Sequence, residues 1–334
     1  MKTTYKKSWL SFLVLALTIV LLAACGNNNE ETKETEPAEG DDPAASEAYT
    51  VEHAMGSTEI EKTPEKVVIL TNEGTEALLA MDVKPVGAVQ SWLGDPWYEH
   101  ITSEMDGVEV VGTESELNVE AIAALKPDLI IGNKMRQEAV YEKLSAIAPT
   151  VFSETLRGEW KENFEFYAKA LNREEEGQKV LDEYNARIAE LKEKAGDKLD
   201  QEISVVRFMA GITRIYYKDT FSGVIFDEIG FKRPSSLEEL FSDKPEDQFV
   251  REVGKEVIPK MDGDILFYFT YAPAGDTEAT KTEEEWTNDP LWKNLDVVKA
   301  EKVYKVDDAI WNTAGGVKAA NLMLDDIEEF IINK

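Results

Sequence analysis

From position 66 to 153 the chain repeats one unit: a short apolar run rich in β-branched residues, then a segment whose apolar residues recur at helical spacing. "KVVIL" (66–70), "VGAV" (86–89), "PDLIIG" (127–132) and "PTVFS" (149–153) read as strands, and "EGTEALLAM", "NVEAIAAL" and "EAVYEKLSAI" as the helices between them. This alternation implies parallel strands with crossover helices, an α/β layer structure. The pattern stops at Glu159. Up to about Leu199 there is no strand signal, and Trp160, Phe164, Tyr167, Ala168 and Leu171, then Val180, Leu181, Tyr184, Ile188 and Leu191, fall at helical spacing. The second of these helices, 173–195, would be about 34 Å long at 1.5 Å per residue, which suits a spacer between two lobes. Afterwards the pattern resumes with "ISVVRF", "RIYY", the helix "SGVIFDEIG", the strands "ILFYFT" (265–270) and "KVYKV" (302–306), and the closing amphipathic helix "AANLMLDDIEEFII". The expected architecture is α/β: two Rossmann-like lobes, 51–158 and 200–334, joined through a helical segment, 159–199, that contains a single long backbone helix. A ligand cleft is expected between the lobes.

The first fifty residues belong to neither lobe. A basic start with Lys2, Lys6 and Lys7, an apolar run from Trp9 to Val20 and small residues before Cys25 read as a secretory leader over 1–24, too short and wrongly flanked for a permanent span. Cys25 is the only cysteine, which excludes an intramolecular disulfide and any CxxC site. "LAAC" followed by Gly26 resembles the lipobox of bacterial lipoproteins, which implies lipidation of Cys25 and anchoring at the outer face of the cell membrane. From Gly26 to Tyr49 eight carboxylates stand against one lysine with almost no large apolar residue, so 25–50 is expected to be a disordered acidic tether. A formal charge of −30 makes nucleic acid a poor partner.

Within so acidic a chain, Arg207 and Arg214 sit in "ISVVRFMAGITRIYY", a greasy strand–turn–strand pattern. Trp92 and Tyr98 follow the second strand, Tyr271 follows "ILFYFT" and Trp311 follows "KVYKV". Each is expected at the C-terminal edge of a strand, where α/β lobes contact ligands, with packing in the core as the competing role. Trp160, Trp286 and Trp292 read as packing residues. With only His53 and His100 in the chain, direct coordination of a bare transition metal is not expected. No nucleophile elbow, P-loop, HExxH or paired-carboxylate motif is present, so no enzymatic activity is expected.

In order and spacing, "TPEKVVIL", "EGTEALLAMDVKPVGA", "VGTESELNVEAIAALKPDLIIG", "KLSAIAPTVF" and "KDTFSGVIFDEIGFKRP" resemble the class III substrate-binding proteins of ATP-driven importers, and among them the ferric-siderophore-binding lipoproteins. "RFMAGITRIYYKDTFSG" and "AIWNTAGGVKAANLMLDD" are similar to the subgroup that binds citrate-hydroxamate chelates such as ferric schizokinen. The resemblance implies a monomer that captures a ferric siderophore and delivers it to separate permease and ATPase subunits, with iron held by the chelate and no intrinsic cofactor. It further implies that Arg207 and Arg214, with Arg136 from the first lobe, face the cleft and meet the chelate's anionic oxygens, for which arginine's planar fork is suited. Docking on the permease would use one exposed carboxylate per lobe: Glu76 in the first, and either Asp227 or Glu228 in the second. Haem or a corrinoid is the alternative cargo; a sensory or adhesive lipoprotein is the remaining alternative.

Overall fold

The computed structural model describes residues 47–334 apart from Arg157; the leader, Cys25 and nearly all of the acidic tether lie outside the described residues. An antiparallel hairpin, β1 (Tyr49–His53) and β2 (Gly56–Ile60), comes first. The first lobe is built on β3 (Val67–Ile69), β4 (Gly87–Ala88), β5 (Glu109–Val110), β6 (Leu129–Asn133) and β7 (Thr150–Ser153). Their sheet order is β5-β4-β3-β6-β7, with every pairing parallel. The second lobe holds β8 (Ile203–Met209), β9 (Ile212–Tyr216), β10 (Val250–Glu252), β11 (Ile265–Thr270) and β12 (Val303–Lys305), ordered β10-β9-β8-β11-β12. This sheet is mixed, because β8 and β9 form a hairpin and β10 runs antiparallel to β9. The hairpin turns at Gly211, whose φ of +67° lies in the left-handed region open to glycine.

Between the sheets run the helix Trp160–Ala170 and the backbone helix Glu174–Ala195, 22 residues long. Glu174, Glu175 and Glu176 occupy its first turn, and Lys192 and Lys194 its last, each charge opposing the nearby pole of the helix dipole. The two helices approach closely at Gly177, where a Cβ would lie 2.6 Å from that of Ala168. Toward the second lobe, the Tyr184 hydroxyl donates to Glu228 Oε2 (2.8 Å), and Arg187 donates to the side chain and carbonyl oxygens of Asn321 (2.9 and 3.1 Å).

Strand alternation divides the apolar residues of each lobe into an outer and an inner layer. Val68, Ile130 and Phe152 pack outward in the first lobe, and Val206, Phe208 and Ile215 do so in the second. The inner faces, however, join one continuous core running from Val67 and Ile69 through Trp160, Phe164 and Tyr184 to Phe226, Phe267 and Trp311. Trp160 is its keystone, meeting Tyr184 of the backbone helix edge-on at 5.0 Å and Phe221 of the second lobe at 6.2 Å. Among the described residues, no helix is long and apolar enough to cross a membrane.

Because the inner core is shared, urea unfolding followed by far-ultraviolet circular dichroism and by tryptophan fluorescence is expected to give one coincident transition. Trp160→Ala should lower its free energy by about 3–5 kcal/mol while keeping it single; two separated transitions would contradict the shared core.

Candidate functional site

A cleft of about 330 Å³ lies where the C-terminal ends of the first-lobe strands face the second lobe. The first lobe lines it with one residue after each strand: Glu73 after β3, Trp92 after β4, Glu114 after β5, Arg136 after β6 and Leu156 after β7. Parallel strands carry their ligand-facing loops at this edge. Opposite them, the β8–β9 hairpin contributes Arg207, Met209, Arg214 and Tyr216. The register explains the set: Arg207 pairs directly with Arg214 across the hairpin, so both side chains leave the same face, while Phe208 and Ile215 turn to the outer core. Tyr271, which follows β11, and residues 312–315, which follow β12, complete this wall.

Each arginine has a carboxylate partner. Arg207 is nearly buried and grips Asp308 with two parallel bonds, Nε to Oδ2 at 2.6 Å and Nη2 to Oδ1 at 2.9 Å. Its Nη1 donates to the Tyr216 hydroxyl (2.9 Å), and its guanidinium carbon lies 4.8 Å from the Tyr271 ring centroid. Arg214 lies 3.8 Å from Glu252, its cross-strand neighbour on β10. Arg136 lies 3.6 Å from Glu114 and over the ring of Trp92 at 5.9 Å. Arg136 and Arg214 keep substantial exposure to the cleft, whereas Arg207 does not.

Two first-lobe carboxyls are buried in the same wall. Burial raises Glu73 well above the usual carboxylate range, only partly offset by the Tyr167 hydroxyl that donates to Oε1 at 2.9 Å and by the Asn163 amide. Glu114 is raised by burial too, against the pull of Arg136 and of the Asn72 backbone N–H and amide, which donate to Oε1 at 2.8 and 2.9 Å. Burial likewise pushes Asp308 up while Arg207 draws it down. Glu73, Glu114 and Asp308 carried no distinguishing mark in a sequence with 66 acidic residues. The one available signal was position, since each lies within four residues of a strand end.

A family model described as periplasmic binding protein matches residues 67–310. The chain belongs to that family. A Bacillus subtilis protein described as a probable siderophore-binding lipoprotein, YfiY, is 50% identical over 329 residues, 98% of this chain and 99% of that one. The Fe(3+)-citrate-binding protein YfmC of the same organism is 29% identical, covering 97% and 96%. Among solved structures, Staphylococcus aureus SirA complexed with staphyloferrin B superposes with a TM-score of 0.77 at 37% identity, covering 84% of this chain and 98% of that one. These likenesses agree with the observed architecture of two α/β lobes joined by a long helix.

Arg136, Arg207, Arg214, Trp92 and Tyr271 thus come together in the cleft. Trp311 does not: it is fully buried, 4.6 Å from the ring of Phe267 and 5.7 Å from that of Phe226, and its Nε1 donates to Asp326. Tyr98 is also buried, and its hydroxyl donates to the Thr313 carbonyl (2.8 Å) from behind the cleft wall. For both, the packing role wins: neighbouring residues, Trp92 and 312–315, reach the cleft, while these two side chains point the other way into the core. Glu76 is corrected as well: it is fully buried, bonded to His100 and to the Ala319 backbone N–H, and so is no exposed carboxylate. Of the other two docking candidates, Glu228 is engaged by Lys161 and Tyr184, whereas Asp227 stays half-exposed beside the buried Arg233 (3.1 Å). Trp160, Trp286 and Trp292 are buried packing residues.

Removing Arg207 would leave Asp308 as a buried, unpaired charge, so Arg207→Ala should cost about 3–5 kcal/mol in urea unfolding, and Arg214→Ala less than about 1 kcal/mol. Glu73 gives a pH signature. Above about pH 4.3 the unfolded chain releases this proton while the folded chain, with its raised pKa, retains it, so folding stability falls as pH rises toward the folded value. Glu73→Gln abolishes that loss, and its stability advantage over wild type should be larger at pH 7 than at pH 4; equal differences would contradict the raised carboxyl.

Proposed function

We propose that the chain is the extracytoplasmic receptor of an ATP-driven importer, anchored through lipid on Cys25, and that its cargo is a ferric siderophore of the citrate-hydroxamate or hydroxamate class. The observation that carries this reading is the meeting of three guanidiniums, drawn from both lobes, with Trp92, Tyr216, Phe221, Phe249 and Tyr271 in one cleft. Guanidinium forks suit the carboxylate and hydroxamate oxygens that wrap ferric iron, and aromatic faces suit the methylenes that join them. Iron remains coordinated by the chelate, binding proceeds without chemistry, and Asp227, the more exposed of the two second-lobe candidates, is the carboxylate offered to a permease. The names of the half-identical relative and of the bound SirA structure support a siderophore as the cargo.

The cleft's charge balance narrows the class. Asp308 and Glu252 offset two of the three guanidiniums, so at most one positive charge is left uncompensated even with Glu73 and Glu114 neutral. A singly anionic or neutral ferric complex matches that balance, and a trianionic tris-catecholate complex does not. Neither histidine lines the cleft to ligate haem, since His53 is bonded to Thr58 in the first hairpin and His100 to Glu76; Tyr216 already accepts from Arg207, and Tyr271 lies under that guanidinium.

The test is a fluorescence titration of the mature protein, reporting through Trp92, against ferric citrate-dihydroxamate, ferric trihydroxamate, ferric tris-catecholate and haemin. The weakly charged ferric complexes should bind most tightly, and Arg214→Ala should weaken them about tenfold, about 1.4 kcal/mol. Retention of haemin with indifference to every ferric chelate would overturn the reading.

A further inference from the structure

Glu76 has another use. It sits on the first crossover helix, Asn72–Ala80, which packs against the closing helix of the opposite lobe, Val317–Ile327. The closing helix has no cap from its own N-cap residue, Gly316. Instead, Glu76 Oε2 accepts from the N–H of Ala319 in its first turn (2.9 Å), while Oε1 bonds His100 of the first lobe. Gly316 makes the approach feasible: a Cβ there would lie 2.6 Å from Glu76 Oε2 and 2.7 Å from Glu76 Cβ. Two further contacts tie the segment that carries His100 to the closing helix and the residues before it: the Tyr98 hydroxyl with the Thr313 carbonyl, and Lys318 Nζ with both oxygens of Glu104 at 3.0 Å. His100 stacks on Tyr98 at 5.7 Å, which ties its orientation to that of the tyrosine.

The segment thus clasped also builds the binding site. Between β12 and the closing helix lie Asp308, the bidentate partner of Arg207, and residues 312–315, which form part of the cleft wall. Gly315, at φ +68°, is the joint where this wall meets the capped helix. A carboxylate with no exposure, reaching across from the other lobe, therefore holds the far end of the segment that orients the cleft's most buried cation. Burying this group costs several kcal/mol unless its bonds are kept, so the contact is all-or-none in character.

We propose that Glu76 is a positioning residue for ligand capture: by capping the closing helix from the opposite lobe it fixes residues 308–316, and through them the Asp308–Arg207 pair and the depth of the cleft. This rests on the reading of the cleft as a chelate site, and its first test does not depend on any ligand. Hydrogen exchange of the full chain, resolved by peptide mass spectrometry, should be at least about tenfold faster over 309–320 in Glu76→Ala than in wild type. Glu76→Gln should recover most of the protection, because its amide oxygen can face Ala319 and its NH₂ an unprotonated His100 nitrogen. Gly316→Ala, whose Cβ would press on Glu76 and lie 3.0 Å from the Glu73 carbonyl, should reproduce the Glu76→Ala exchange pattern. In the second arm, ferric citrate-dihydroxamate should bind both disrupted variants about tenfold more weakly, chiefly through faster dissociation, and Glu76→Gln nearly as wild type. Variants that melt earlier yet retain wild-type exchange over 309–320 and wild-type affinity would reduce Glu76 to a packing residue and overturn the proposal. A wild-type protein that binds no ferric chelate would refute the capture reading, with the exchange arm still deciding the clasp.

Discussion

Because Val67 and Ile69 of one sheet and Phe267 of the other are buried in the same continuous core, separating the lobes would return apolar area to water at about 25 cal/mol per Å². That constraint governs the rest of the molecule. The helices Trp160–Ala170 and Glu174–Ala195 do not merely span a gap; they fill the floor between the sheets, with Trp160, Phe164 and Tyr184 as the filling. A cleft over such a floor has walls whose spacing is set by packing. The polar contacts behind it, from Tyr98, Glu76 and Glu104 to residues 313–319, then set how the walls face one another.

The cleft answers the question of how an acidic protein keeps cations in apolar surroundings. Arg207 is held by Asp308 and Tyr216, Arg214 faces Glu252, and Arg136 faces Glu114. Desolvation of two buried ions largely cancels their attraction, so the Arg207–Asp308 pair adds little net stability. Its geometric effect is larger, since two parallel bonds fix the plane of the guanidinium beside Tyr271. The arginines are thus graded: one buried and oriented, two exposed enough to meet an anion directly.

Much of this was legible in the order of residues. The strand–turn–strand pattern of "ISVVRFMAGITRIYY", rich in β-branched and aromatic residues, already put Arg207 and Arg214 on a hairpin, and the strand-free stretch after Glu159 already marked the joining helices. Position after a strand pointed Trp92 and Tyr271 toward the cleft, and the family resemblance did so for Arg136. The same reasoning failed for Tyr98 and Trp311, because a residue beyond a strand end lines the rim or folds back into the core according to where the following helix packs. It failed for Glu76 because a carboxylate on a helix is a solvated charge unless another element covers it, and the covering element lies 243 positions away.

The sequence by itself determined the α/β class, the two lobes and their joining helix, since each follows from periodicities within a few residues of one another. It also determined that Arg207 and Arg214 lie in one strand–turn–strand segment, because that pattern is local. Tertiary structure alone decided which carboxylates neutralise those cations, which aromatics are core, and that Glu76 caps a helix of the opposite lobe. Those outcomes depend on contacts between segments far apart in the chain, and a side chain's burial, charge balance and role are set by what is packed against it.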